Sequence, residues 1–225
     1  MKIKELKIFT AEVAKQLAFY SDVLGLEIKS QSESHVSLVI GKSILTFVYR
    51  KQFTPYHFAI NIPSNKENEA LGWLKKRVEI LKNEESDIQY FDFWNAYAIY
   101  FYDADKNIVE FIARKNLNND SDKDFDQNLV LEISEIGLPT NSIKQEFKVL
   151  NKNANLEIFS GGFESFCSIG DEKGMFICID KGIKKYWFPT KDKPFSSDFL
   201  MDIEQLDKPF QIKYQKEVLE VNRVE

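Results

Sequence analysis

Apolar and polar side chains alternate from the start of the chain. In Lys2–Phe9, Lys4, Leu6 and Ile8 share one face and Ile3, Glu5 and Lys7 the other, the two-residue period of a strand. The period then lengthens. Val13, Leu17, Tyr20 and Leu24 fall at helical spacing within Ala11–Leu24, Thr10 suits an N-cap, and Gly25 stops the helix. Strand-like runs follow at Leu26–Ser30, His35–Ile40 and Ser43–Tyr49, the last two joined by Gly41-Lys42 as a tight hairpin. The order is βαβββ.

That order returns. His57–Ile62 predicts a strand that Pro63 ends. Ser64-Asn65-Lys66-Glu67 reads as a capping box, and Leu71, Leu74, Val78 and Leu81 predict a helix to about Leu81. Strands are expected near Ile88–Asp92, Ala96–Tyr102 and Ile108–Ala113, with turn chemistry in Asp103–Asn107. Lys115–Asn128 is polar and acidic and reads as a linker. Beyond it, Ile133–Leu138 echoes Ile3–Ile8, so that Glu135 matches Glu5. A helix after Thr140 follows (Asn141–Leu150), then strands near Leu156–Phe159, Phe163–Ile169 and Met175–Asp180. The last segment, Phe199–Ile203 and Phe210–Val221, has strands but no room for a comparable helix. The expected fold is α+β: paired βαβββ modules in a curled, cup-like mixed sheet over 1–114, a linker over 115–128, and a second, degenerate module pair over 129–225.

Composition narrows the partners. The 225 residues are 44% apolar, with 19 Phe and 9 Tyr, which is enough for a packed core. The net charge of −5 and the interleaving of basic with acidic residues argue against a nucleic-acid partner. No apolar run reaches the roughly 18–20 residues of a membrane helix, and MKIKELKIFTAE alternates like a strand rather than a signal peptide. Cys167 and Cys178 sit in apolar runs. They are expected to be buried free thiols in a reducing cytoplasm, facing each other across a hairpin. A Gly-rich phosphate loop, a nucleophile elbow, a CxxC pair and an HExxH helix are all missing from the sequence.

Three motifs carry a resemblance. Ala18–Leu26 (AFYSDVLGL), His57-Phe58-Ala59-Ile60 and Tyr100–Phe111 (YFYDADKNIVEF) resemble the vicinal oxygen chelate superfamily, which includes glyoxalase I, extradiol dioxygenases and bleomycin- and fosfomycin-resistance proteins. Ala104 and Lys106 stand where that family usually has Pro and Gly. The resemblance implies a cup with metal ligands on the first and last strands of each module. Carried over, the four places of 1–114 are Glu5, Thr46, His57 and Glu110, of which Glu5, His57 and Glu110 suit a metal. In the second half the places are Glu135, an apolar residue near Phe176 or Ile177, and Asp198. That half reads as a degenerate pair without a working metal site, which closes the cup or forms an interface; a homodimer is a candidate assembly.

Two readings follow from this chemistry. One His and two carboxylates with open positions suit Fe(II), Mn(II) or Zn(II), with Glu5 also a candidate proton-transfer base. The protein would then be a glyoxalase- or dioxygenase-like enzyme of a small oxygenated metabolite. Alternatively Lys7, on the same strand face as Glu5, neutralises Glu5 and Glu110. The protein would then be a metal-free binder of small molecules, of the bleomycin-resistance kind. Phe47, Tyr49, Phe93, Trp94, Tyr97 and Tyr100 are candidate cup-lining aromatics, and Trp187-Phe188-Pro189-Thr190 is a candidate lid. His35 lies in a polar strand edge and is expected at the surface.

Overall fold

The computed structural model describes residues 1–224. Four modules follow one another. The first is β1 (Lys2–Thr10), α1 (Val13–Ala18, continued by a π-helical turn at Phe19–Val23), β2 (Ile28–Gln31), β3 (His35–Ile40) and β4 (Ser43–Tyr49). The second is β5 (His57–Ile62), α2 (Glu67–Leu74), β6 (Ile80–Leu81), β7 (Gln89–Phe91), β8 (Ala96–Tyr102) and β9 (Ile108–Arg114). The third is β10 (Glu132–Thr140), α3 (Ile143–Ala154), β11 (Ile158–Gly161), β12 (Phe166–Asp171) and β13 (Gly174–Asp180). The fourth, β14 (Phe199–Gln205), β15 (Lys208–Gln215) and β16 (Val218–Arg223), has lost its helix, as its length predicts.

The modules pair across the two halves of the chain. One sheet runs β16-β15-β14-β1-β4-β3-β2 and joins the first module to the fourth. The other runs β11-β12-β13-β10-β5-β9-β8-β6, with β7 also on β8, and joins the second to the third. The expected pairing of modules within 1–114 and within 129–225 is therefore replaced by a nested one. The reason is edge chemistry. Each module offers the free edge of its first strand, and β5 takes β10 while β1 takes β14, both antiparallel.

The echo of Ile3–Ile8 in Ile133–Leu138 extends to backbone geometry. The register of β1 on β14 shifts between Ile3 and Glu5, and that of β10 on β5 between Ile133 and Glu135. Each strand thus carries one extra residue, Lys4 or Ser134, just before its Glu. Such a bulge re-aims the side chain that follows it.

Alternation then sorts the inner sheet, the one built from the second and third modules. Phe58, Ile60, Val109, Phe111, Ile136, Leu138, Phe176 and Cys178 enter the main core. His57, Glu110, Glu135 and Ile177 take the other face, where a smaller aromatic cluster lies. Helix α3 packs on β16 as well as on β12 and β13, and so ties the sheets together. Its apolar stripe ends in Asn155 at φ 55°, and Ser142 caps its start. No helix among the described residues is long and apolar enough to cross a membrane.

Two local expectations fail. Ser64 caps nothing, because its hydroxyl donates to Asp120 at 2.6 Å, and α2 starts at Glu67 without a side-chain cap. The helix ends at Leu74 rather than Leu81, since Ile80 and Leu81 pair with Phe101 and Tyr100 as β6. The polar 115–128 segment is anchored rather than loose: Phe125 packs on Trp73 and its amide donates to Glu69. Cys167 and Cys178 do face each other across the β12–β13 hairpin, free and buried. His35 opens β3 half-buried, its Nδ1 2.8 Å from Ser32 Oγ, rather than fully at the surface.

Candidate metal centre

Three adjacent strands build the site. His57 opens β5. The parallel register sets His57 against Ile108 of β9, so Glu110, two residues on, emerges on the same face. On the other flank of β5, antiparallel β10 sets Glu135 against Ala59. One donor atom from each of His57, Glu110 and Glu135 lies within 4.8 Å of the others, and all three residues are buried. Glu110 and His57 thus share one concavity, as the motifs predict.

Glu5 does not join them. It lies in the other sheet, where it accepts from Thr46 Oγ1 at 2.7 Å and pairs with Lys7 Nζ at 3.2 Å. Its place in the candidate set goes to its echo, Glu135. Lys7 consequently neutralises Glu5 alone. Asp198 pairs with Arg50 at 2.8 Å. The signal for Glu135 was present in the repeat; what the sequence lacked was which module pairs with which.

The proton inventory favours a cation. His57 Nδ1 lies 3.1 Å from the Ile108 carbonyl, which can only accept, so Nδ1 carries the proton and Nε2 presents a lone pair. Burial holds this imidazole neutral, its pKa lowered to about 4. Nε2 faces Glu110 Oε2 at 3.6 Å, too long for a hydrogen bond. Two donors on one ion with bonds of ~2.1 Å would stand roughly 3.0–3.4 Å apart, close to that gap. Burial, and then the neighbouring Glu135, push Glu110 well above the usual carboxylate range. Burial raises Glu135 too, although Arg114 opposes the rise. Arg114 pairs with Glu135 and compensates one of the two buried carboxylates; the other lies beside a neutral imidazole and is costly without a further cation, and the donor set fits a divalent one.

The fourth place is apolar. Glu135 faces Met175 in the β10–β13 register, and Ile177 stands two residues on, as Glu110 does relative to Ile108. Ile177 therefore occupies the position that a fourth ligand would take.

A cavity of about 530 Å³ opens over the three donors. Trp94, Tyr100, Phe166 and Phe188 wall it, and Phe93 stands exposed at its edge. Of the other expected aromatics, Phe47 is buried in the main core, Tyr49 is exposed, and Tyr97 packs against Tyr90 at a tilt. The Trp187 loop crosses the cup as a strap. Trp187 lies 5.0 Å from the His57 ring, Phe188 meets Tyr100 edge-on at 5.6 Å, and Tyr102 donates to Asp192 at 2.6 Å.

No family model matches the chain. Over 99% of its length it superposes on 84% of a putative dioxygenase from Bacillus subtilis, with a TM-score of 0.67 at 12% identity. The fold is that of the vicinal oxygen chelate superfamily. The metallothiol transferase FosB of Staphylococcus haemolyticus is 28% identical over 116 residues, which is 48% of this chain and 80% of that protein. A lactoylglutathione lyase from Agrobacterium tumefaciens aligns with 48% of this chain and 90% of its own at 18% identity, with a TM-score of 0.42. The second and third modules together bring His57, Glu110 and Glu135 to one face. The first and fourth form a cup whose corresponding places hold Glu5 and Thr46, bound to each other.

Proposed function

We propose that the chain is a metal-dependent enzyme, glyoxalase- or dioxygenase-like, acting on a small oxygenated metabolite held in the aromatic cavity. The carrying observation is the convergence of His57, Glu110 and Glu135, with the bare Nε2 of His57 facing a carboxylate. A relative named for a metal and a thiol supports the same reading. Fe(II), Mn(II) and Zn(II) all suit this donor set. When bound, the ion would polarise substrate oxygens as a Lewis acid.

The chain supplies the rest. Burial and the adjacent Glu110 keep the Tyr100 phenol protonated, its pKa raised well above the usual range, and the phenol donates to Glu110 and so helps to hold that carboxylate. The Trp187 strap packs on His57 and the aromatic walls surround the donors with apolar surface, which strengthens charge interactions there. The Ile108 carbonyl fixes the His57 tautomer in advance of binding.

Metal analysis of protein purified without chelator or affinity-tag metal is the test. Stoichiometric metal in the wild type that is lost in His57→Ala supports the reading. One observation favours a metal-free binding protein instead: Arg114 already pairs with Glu135 and supplies a built-in cation. Wild-type protein without bound metal, and with a melting temperature unmoved by Mn(II) or Zn(II), would decide for that second reading.

A further inference from the structure

Arg114 has no part in the reaction outlined above, yet it touches every strand of the site. It is the last residue of β9, four positions after Glu110, and is fully buried. Its Nε donates to Asn61 Oδ1 on β5 at 3.2 Å, and its Nη2 donates to Glu135 Oε1 on β10. Trp94 covers the guanidinium, with the ring centroid 5.4 Å away. Its Nη1 is buried and has no partner among the described residues.

Stability alone is a poor reason for such a group. A buried ion pair gains little over apolar residues of the same volume, because desolvation consumes the Coulombic gain. An orphaned donor adds further cost. Geometry gives the arginine a better one. Its fork holds one oxygen of Glu135 and leaves the other free, while Asn61 fixes the direction from which the fork arrives.

We propose that Arg114 is the positioning residue of the metal centre. It limits Glu135 to one-oxygen ligation and locks together the three strands that bear the donors. The inference rests on the metal reading given above. The opposing role is also physical: a cation this close repels a dication, and an arginine that merely competed for Glu135 would weaken metal binding. The two roles predict opposite signs.

Mn(II) titrations, with free ion followed by electron paramagnetic resonance, separate them. Wild type, Arg114→Lys, Arg114→Gln, Asn61→Ala, Glu135→Gln and the Arg114→Gln/Glu135→Gln double variant are compared. Loss of an outer-shell partner is expected to weaken Mn(II) binding about 10–100-fold in Arg114→Gln, with partial recovery in Arg114→Lys. The double variant should bind no more weakly than Glu135→Gln, since Arg114 acts through that carboxylate. In the Co(II)-loaded protein, Arg114→Gln should alter the visible absorption bands, which a distant structural defect would leave in place. Arg114→Gln binding as tightly as wild type or tighter would overturn the proposal, as would additive losses in the double variant. Should Arg114→Gln fail to fold, Asn61→Ala keeps the ion pair and removes one anchor. It should bind more weakly than wild type, and unchanged affinity would overturn the proposal. A wild type that binds no Mn(II) defeats the metal reading and this inference with it, whereas binding with the wrong order of variants defeats the inference alone.

Discussion

Gly137 shows how one absent side chain shapes the site. A Cβ there would come within 2.8 Å of the Trp187 ring and 3.2 Å of the His57 carbonyl. Gly137→Ala should therefore lift Trp187 from His57, cost roughly 1–3 kcal/mol in urea unfolding, and shift tryptophan emission to the red. Asp103 offers a second test. It accepts from Gln16, Tyr20 and Asn107, yet burial outweighs these bonds and raises its pKa to about 6. The native state then holds an extra proton between about pH 4 and 6, so this carboxyl favours folding at low pH and the benefit fades as pH rises through 6. The span is worth about 3 kcal/mol. Stability measured at pH 5 and pH 7 should show that slope in wild type and lose it in Asp103→Asn. At this scale the sequence was half transparent. His57 and Glu110 sit in motifs whose spacing places them without knowledge of the rest. Glu135 could be found only by its likeness to Glu5, because its neighbours are remote in the chain.

Among elements, the parallel registers tell most. The step that takes His57 to Glu110 takes Glu135 to Ile177, so an apolar residue stands in the third module where Glu110 stands in the second. Ile177→Glu should add a donor there. A third buried carboxylate should lower the metal-free melting temperature, and Mn(II) should raise it by more than in wild type. A Mn(II)-induced rise equal to that of wild type would place Ile177 outside the coordination sphere. The outer cup is different. Glu5 and Lys7 are partly exposed and paired, so Lys7→Met should cost less than about 1 kcal/mol, measured by denaturant unfolding. Strand positions were legible here because alternation with turn chemistry is local. The end of α2 was not. Val78 and Leu81 continue the helical spacing past Leu74, yet they reach their apolar neighbours from a turn and a strand, and a remote Asp120 claims the hydroxyl of Ser64.

For the whole molecule, the module count and the α+β class were readable, since each βαβββ unit writes its own periodicity. The pairing was not. Four first strands of similar composition present equivalent edges, and only the packed structure selects β1 with β14 and β5 with β10. That selection moved the candidate site from the first half of the chain to its middle, and it replaced Glu5 with Glu135.

The nesting also sets an order in time. Residues 57–180 contain every strand of the inner sheet and all three donors, while β1 waits for a partner that begins at Phe199. At roughly 5–20 residues per second, a ribosome finishes the inner sheet some seconds before it finishes the outer one. The nascent chain therefore holds all three candidate ligands while its oldest strand still has a bare edge. Pulse proteolysis of arrested chains should find 57–180 protected before 1–50, and the hazard of misassembly should lie with the first module rather than with the site.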